Sequence, residues 1–303
     1  MPESVSCNLC GSLDTKRLKS HSKMFRLPEG FHIVSCKKCG LRYLSPRPTP
    51  EEYAAHYAGA PHYSPDSYQD RIKGRTSFYE ERLNEFEAMG LKPGTILEVG
   101  CATGHFLNTA RQRGWKPTGI EISTAMADYG REKFHLNIIN INDIREANFD
   151  EGQFDVVYAS NVLEHLPDPI SFLSEVNRIL KPEGIIFAEV PNQFRHLREM
   201  IKVMAYVFLP ENIAHRMLPL PHDSIHHCYF FSPSALEKML TKSGFETISL
   251  SCYTPAYFRE RFPLRRWGGL LLFRLLDNIS NAARRGLLIK VFARKKSHKS
   301  DKR

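Results

Sequence analysis

Three groups of residues in this chain have the types and spacing to do chemistry. Cys7-x-x-Cys10 and Cys36-x-x-Cys39 form two pairs separated by 25 residues, each followed by glycine (Gly11, Gly40). Two such knuckles present four thiolates, which suits a closed tetrahedral Zn²⁺ shell with no position left for substrate. The alternatives are two disulfides, disfavoured in a reducing compartment, or a redox pair, which would not come duplicated. The second group is a series of acidic or polar residues that each close an apolar run: Glu98, Glu121, Asp143 and Asn161. The third is histidine: His165, and a cluster at His215, His222, His226 and His227. Imidazole is the natural group to take a proton near neutral pH. A second metal site from that cluster is disfavoured, because the neighbours 226 and 227 point to different faces.

The acidic residues need elements to position them. Ile96, Leu97 and Val99 read as a buried strand, broken by Gly100 and Gly104, with a helical stretch from His105 to Arg113. Glycines at a strand-to-helix turn permit φ > 0 and a close approach of ligand to backbone. The turn lacks the Gly-Lys-Ser/Thr of a phosphate loop. It also lacks two of the three glycines of a dinucleotide loop, where Ala102 and His105 stand. A carboxylate at Glu98 repels a pyrophosphate and suits a cationic ligand. A methyl group at Ala102 is comfortable only at φ < 0.

The pattern then repeats. Trp115–Glu121, Leu136–Ile141, Phe154–Ser160 and Ile185–Val190 read as further strands, with helices between them. Glu121 lies 17 residues past Gly104, where a strand-tip carboxylate can accept both hydroxyl protons of a ribose. Ser123 caps the next helix, and Asp168-Pro169 starts the one over Ile170–Leu180. Alternation of strand and helix across 95–190 argues for a parallel, doubly wound sheet whose ligand sits at the carboxyl ends of the strands.

The Glu98–Gly104 loop resembles the first motif of class I S-adenosylmethionine-dependent methyltransferases. Asn161-Val-Leu-Glu-His165-Leu-Pro-Asp168-Pro resembles the family's fourth motif. The resemblance implies a Rossmann-like, mostly parallel seven-stranded sheet in an α/β fold, completed by Phe245–Cys252 and by Leu287–Ala293 inserted antiparallel at the sheet edge. It implies an S-adenosylmethionine site from Glu98, Gly100, Ala102, Gly104, Glu121, Ile122, Asp143, Ile144 and Asn161. Asp143 would meet the adenine amino group with Ile144 against the ring; an Asx-turn is the other account of Asp143. His165 would serve as base, or else pack the helix start, and His226 and His227 are the rivals. The ribbon followed by Cys39-Gly-Leu-Arg-Tyr-Leu-Ser-Pro-Arg-Pro48 resembles a bacterial subgroup associated with sugars and surface polysaccharides.

The expected organisation is a zinc-ribbon module over 1–45 and a Pro/Tyr-rich strap or lid with a lead-in helix over 46–92. A methyltransferase domain spans 93–255, with an acceptor-side insertion at 191–231. A basic helix, final strand and tail occupy 256–303. Cys101, Cys228 and Cys252 read as packing residues. Residues 259–303 carry fourteen Lys/Arg against three Asp/Glu, whereas residues 1–258 carry 28 against 30. The overall +9 therefore belongs to the C-terminal segment and gives the body no nucleic-acid footprint. No Asn/Asp-Pro-Pro-Tyr base-flipping motif follows the fourth strand.

The amphipathic stretch 263–283 either packs on the core or, with the basic tail, makes a peripheral contact with anionic lipid. No window reaches the ~18 apolar residues of a membrane span. Residence is expected in the cytoplasm, at the inner face of the membrane if that contact forms. The expected acceptor is a sugar, nucleotide-sugar or glycan. The alternatives are a quinone- or lipid-type O-methyltransferase and a non-catalytic binding module.

Overall fold

The computed structural model describes residues 5–25, 27–49, 64–72, 75–193, 195–210, 212–214, 227–255 and 269–296. Two sheets organise it. The smaller is built from β1 (Thr15–Arg17), β2 (His32–Cys36) and β3 (Arg42–Ser45), with α1 (Lys19–Met24) between the first two. Its fourth strand is β9 (Tyr229–Phe230), which comes from far along the chain and pairs antiparallel with β3. The predicted ribbon is thus completed by the insertion that follows the fifth Rossmann strand.

The larger sheet has seven strands in the order β10-β11-β8-β7-β4-β5-β6. These are β4 (Thr95–Val99), β5 (Lys116–Glu121), β6 (Asn137–Asn140), β7 (Phe154–Ser160), β8 (Leu180–Pro191), β10 (Phe245–Tyr253) and β11 (Leu288–Lys295). The first five run parallel, as their near-continuous apolar sequences anticipate. One expectation needs correction. The last strand does not lie at the sheet edge: β11 is inserted between β8 and β10, antiparallel to both, and β10 is the edge. The burial of Leu288, Ile289 and Val291–Ala293 fits an interior position. Gly286 makes the turn possible, because a Cβ there would meet the Tyr253 backbone at 2.2 Å.

Helices cover both faces. Where one lead-in helix is expected within 46–92, the described residues hold two, α2 (Pro65–Ile72) and α3 (Thr76–Ala88). Phe86 of α3 is fully buried, with edge contacts to Tyr158, Phe187 and Phe292. Truncating such a ring to alanine costs about 3–5 kcal/mol. Then come α4 (His105–Gln112), α5 (Thr124–Phe134) and α6 (Pro169–Ile179). Ser123 and Asp168 cap α5 and α6 through Met126 N and Ser171 N, as the sequence anticipates. The insertion contributes α7 (Leu197–Phe208), and α8 (Pro233–Lys242) leads into β10. Residues 51–57, whose sequence suits a short helix, lie outside the described residues with His215, His222 and His226, as does the beginning of the predicted C-terminal helix.

That helix, α9 (Gly269–Ala282), carries its amphipathy differently from expectation. Asp277 and Ser280 are fully buried, while Leu275 and Ile279 are exposed. The reason is pairing with the insertion: His196 Nε2 stands 3.3 Å from Asp277 Oδ1, and Leu197 N donates to Ser280 Oγ at 3.2 Å. No helix among the described residues is long and apolar enough to cross a membrane.

Candidate active site at the strand tips

From the central β4 the chain winds outward to β5 and β6, then crosses back to β7 and β8 on the other side. That reversal opens a crevice at the carboxyl ends of the strands. Glu98, in β4, is buried there. Burial first, and the neighbouring Glu121 charge second, hold its carboxyl well above the usual carboxylate range. Its Oε2 is buried with no hydrogen-bond partner. An orphaned buried carboxyl oxygen beside a second acidic group is what a cationic ligand would relieve. Binding a cation there favours the ionised form, so it expels a proton. The folded-state pKa is raised, so this cost is largest below it and fades as pH rises through it. Affinity for a cationic ligand bound against Glu98 is therefore expected to rise with pH. Its calorimetric enthalpy should vary with buffer ionisation heat in the wild type, and this dependence should shrink in Glu98→Gln.

Glu121 ends β5 with no exposure. Its two oxygens accept the backbone N–H groups of Ala102 and Ser123, each at 2.8 Å. One carboxylate thus braces the glycine loop against the start of α5. Gly100 and Gly104 have φ of 70° and 74°, as a strand-to-helix turn of this kind demands. A Cβ on Gly104 would also meet Leu136 Cδ1 at 2.6 Å. Ala102 corrects an expectation: its φ is 46°, in the left-handed region. The hydrogen bond from its N–H to Glu121 supplies part of what holds it there, since strained residues persist where surroundings over-determine them. Ala102→Gly is expected to raise the thermal midpoint, the relief of about 1 kcal/mol exceeding the added unfolded-state entropy.

Asp143 follows β6 and is half-buried. It caps the short 3₁₀ turn Ile144–Ala147 through Arg145 N at 2.9 Å. It also accepts Arg145 Nε at 2.9 Å, and this guanidinium holds its carboxyl below the usual range. The turn-capping account of Asp143 is the one these contacts show. Ile144 is buried beside it. Ile122 follows Glu121, and its carbonyl accepts from Asn140 Nδ2 at 3.0 Å. Asn161, at the tip of β7, has φ 55° and is exposed. Its N–H is held by Glu189 O at 2.8 Å.

Beyond the carboxyl end of β7, His165 meets His227 edge to face, with ring centroids 4.7 Å apart. Sequence reasoning named both and gave no reason for them to touch. Gln193 Nε2 lies 2.8 Å from His227 Nδ1. Glu164, which sequence reasoning assigned no role, is buried with both carboxyl oxygens lacking a hydrogen-bond partner. His165 Nε2 is 3.7 Å from Glu164 Oε1. Burial pushes Glu164 up to about 8, against the lowering effect of a backbone hydrogen bond, and the Glu189 charge adds to the rise. One ligand atom from each of Glu164, His165 and His227 lies within 4.8 Å of the others, a spacing that could hold a divalent cation.

The four cysteines of the ribbon come together as predicted. Cys7 Sγ and Cys39 Sγ are 3.4 Å apart, and Cys10 Sγ and Cys36 Sγ 3.5 Å. These separations exclude disulfides, and all four are free thiols. All four sulfurs lie within 4.8 Å of one another, and the 3.4 and 3.5 Å pairs lie near the ~3.8 Å edge of a tetrahedron around a metal with ~2.3 Å bonds. Burial alone would raise the Cys36 thiol. Hydrogen bonds, led by the Cys39 backbone and joined by the Cys10 side chain and the Lys38 backbone, bring it down to about 7. Cys101 and Cys228 are buried, as packing residues are.

A family model described as a methyltransferase domain matches residues 71–250. The ubiquinone biosynthesis O-methyltransferase of Nitrosococcus oceani is 30% identical over 173 residues, covering 55% of this chain and 70% of the relative. The protein of the same name from Pseudomonas paraeruginosa is 30% identical over 166 residues, covering 53% and 68%. Two solved structures share the fold. One is a chain of the complex between the Haloferax volcanii Trm112 methyltransferase activator and the putative methyltransferase (TM-score 0.53, 18% identity, 81% of this chain and 98% of that one). The other is a SAM-dependent methyltransferase from Archaeoglobus fulgidus (TM-score 0.51, 19% identity, 75% and 98%).

Proposed function

The chain belongs to the methyltransferase-domain family as an S-adenosylmethionine-dependent enzyme, and from that premise we propose that it methylates a hydroxyl of a small quinone-type acceptor. What supports the site reading is a buried acidic pair, Glu98 and Glu121, at the ends of β4 and β5, together with a histidine pair whose His165 lies on the loop that follows β7. The names of the relatives favour the quinone-type acceptor over the sugar or glycan that the ribbon pattern suggested. When bound, S-adenosylmethionine supplies a methyl group already activated on a sulfonium. The protein's share is then to hold, align and deprotonate.

Glu98 faces the cationic part of the cofactor. Glu121 braces the loop and accepts from the ribose, and Asp143 with Ile144 takes the adenine. On the acceptor side, His165 and His227 supply one base and one neighbour that orients it. Glu164 stabilises imidazolium on His165 once it has lost its own proton. Gln193 carries both an amide donor and a carbonyl acceptor, so it can hold His227 in either neutral tautomer. The carboxylate set is intact, which argues against a non-catalytic module. A labelled-methyl assay tests the reading: incorporation is expected into ortho-hydroxylated aryl precursors of quinones and not into nucleotide-sugars or lipid-linked glycans. Incorporation confined to the sugars would refute it.

Zinc is the ion we assign to Cys7, Cys10, Cys36 and Cys39, since four thiolates at tetrahedral spacing select a soft ion without demanding redox chemistry. The site is saturated by protein, so its role is folding and placement. Purified protein is expected to carry one zinc per chain. Stripping it with a strong chelator should lower the thermal midpoint sharply, because metal-binding free energy is folding free energy for a small ribbon. A zinc-free preparation with the same midpoint would contradict this. The strap that opens the 46–92 segment and a lipid contact through 263–303 belong to the same proposal as accessory features. The exposed Leu275 and Ile279 are the described residues available for such a contact.

A further inference from the structure

The loop from Glu164 to Asp168 carries His165 and leads into α6. Its hydrogen-bond partners come from the ribbon and from the strand the ribbon binds. Tyr229 N donates to Glu164 O at 3.0 Å, and Tyr229 OH donates to Pro167 O at 3.1 Å. Arg47, two residues past β3, donates to Pro167 O and to the Tyr229 hydroxyl, with its guanidinium carbon 4.8 Å from the Tyr229 ring centre. At the far end of the loop sits Asn8, between the thiols of Cys7 and Cys10. Its Nδ2 donates to Asp168 Oδ1 at 2.8 Å, and its Oδ1 accepts Ile170 N at 3.2 Å.

The second histidine is tied to the same module. His227 stands two residues before Tyr229, and Leu44 N of β3 donates to Cys228 O at 2.9 Å. The β3–β9 pairing, Arg42 with Phe230 and Tyr43 with Tyr229, makes β9 a strand of the ribbon sheet. Cys7, Cys36, Tyr43 and Tyr229 also share one core with Leu163 and Val162 of the strand-tip loop. The acidic half is built otherwise: Glu121 braces Ala102 and Ser123, and Asp143 braces its own turn, all within the Rossmann-like part.

We propose that the four-cysteine ribbon is part of the acceptor-side machinery: Asn8 and Arg47 act as positioning residues that set the His165–His227 pair, so the ribbon metal governs methyl-transfer rate and not cofactor affinity. This rests on the methyltransferase and zinc readings above. A knuckle closed on its metal has one shape, and Asn8 transmits that shape to the start of α6. Arg47 transmits the register of β3 to Pro167 and Tyr229. Displacing a base by a fraction of an ångström costs rate far more than it costs stability.

The test uses the full chain with its zinc, as Asn8→Ala and, separately, Arg47→Gln. Each variant is expected to keep its zinc and its S-adenosylmethionine affinity by calorimetry, while kcat falls about tenfold to a hundredfold. The ring ¹⁵N resonances of His165 and His227 should move in each variant, and should move likewise when zinc is chelated from the wild type. Unchanged kcat and unchanged ring resonances in both variants would overturn the proposal. So would a loss of cofactor affinity as large as the loss of kcat, because the effect would then be general unfolding. A wild-type chain purified without zinc overturns the metal's part in it. If no acceptor is methylated even by the wild type, the activity reading has failed instead, and the histidine resonances alone decide the coupling. Asn8 lies in the first knuckle and Arg47 just past β3, and they hold different ends of the loop, so a folding defect in one leaves the other to give the answer.

Discussion

Glu121→Gln is expected to weaken S-adenosylmethionine binding about a hundredfold or more while leaving the Rossmann-like sheet folded. The carboxylate is fully buried and receives two backbone N–H donors, from Ala102 and Ser123. A glutamine offers one carbonyl oxygen and one NH₂, so one of those amides would face a donor. Removing a buried charged acceptor leaves a desolvated N–H and costs about 3–5 kcal/mol in all. Part of that falls on the apo loop, whose Ala102 at φ 46° depends on the bond. The remainder falls on the ribose contact, because the amide cannot accept from both hydroxyls. Two decades in affinity correspond to about 2.7 kcal/mol, which leaves the rest of that total on the apo loop. Isothermal calorimetry measures the affinity, and circular dichroism reports the fold. An unchanged dissociation constant would remove the basis for placing the cofactor at these strand tips.

The second large effect is on turnover. His165→Ala and His227→Ala are each expected to lower kcat by about 10²–10⁴, the usual worth of a positioned general base. Cofactor affinity should hold, since neither histidine belongs to the acidic half of the crevice. The two rings meet edge to face, and in the proposed mechanism one takes the proton while the other orients it. Groups that act as a unit are not additive. The double variant should therefore be no slower than the slower single one. Turnover that survives both single substitutions would show that the acceptor is deprotonated in another way, and a double variant slowed by the product of the two single effects would show two independent roles.

Much of the Rossmann-like half was legible because its signals are local. Glu98, Glu121 and Asp143 each end an apolar run of strand length, and the glycines at 100 and 104 sit where the turn needs φ > 0. Ser123 and Asp168 precede helices whose first turns need an acceptor. Ala102 was misjudged for an instructive reason. Its φ is set partly by the Glu121 carboxylate nineteen positions on, and no local preference of alanine contains that bond. The edge position given to Leu287–Ala293 failed similarly. A strand's own sequence says that it is buried, but the strand beside it is chosen by the whole sheet.

The acceptor half was only partly legible. His165 and His227 could be named, and Glu164, Gln193, Arg47 and Asn8 could not be given roles. Their importance lies in pairings between residues far apart in sequence, 34 positions for Gln193 with His227 and 182 for Arg47 with Tyr229.

The sequence by itself determined the four thiols, the order of strand-tip acids and the identity of the candidate bases, because residue type, spacing and hydrophobic period are written along the chain. Only the tertiary structure decided that the ribbon recruits Tyr229–Phe230 as its fourth strand, and that this brings His227 against His165 over a buried Glu164. Strand pairing joins backbones irrespective of their distance along the chain. Burial, which raises the Glu98 and Glu164 carboxyls, depends on what else is packed around them.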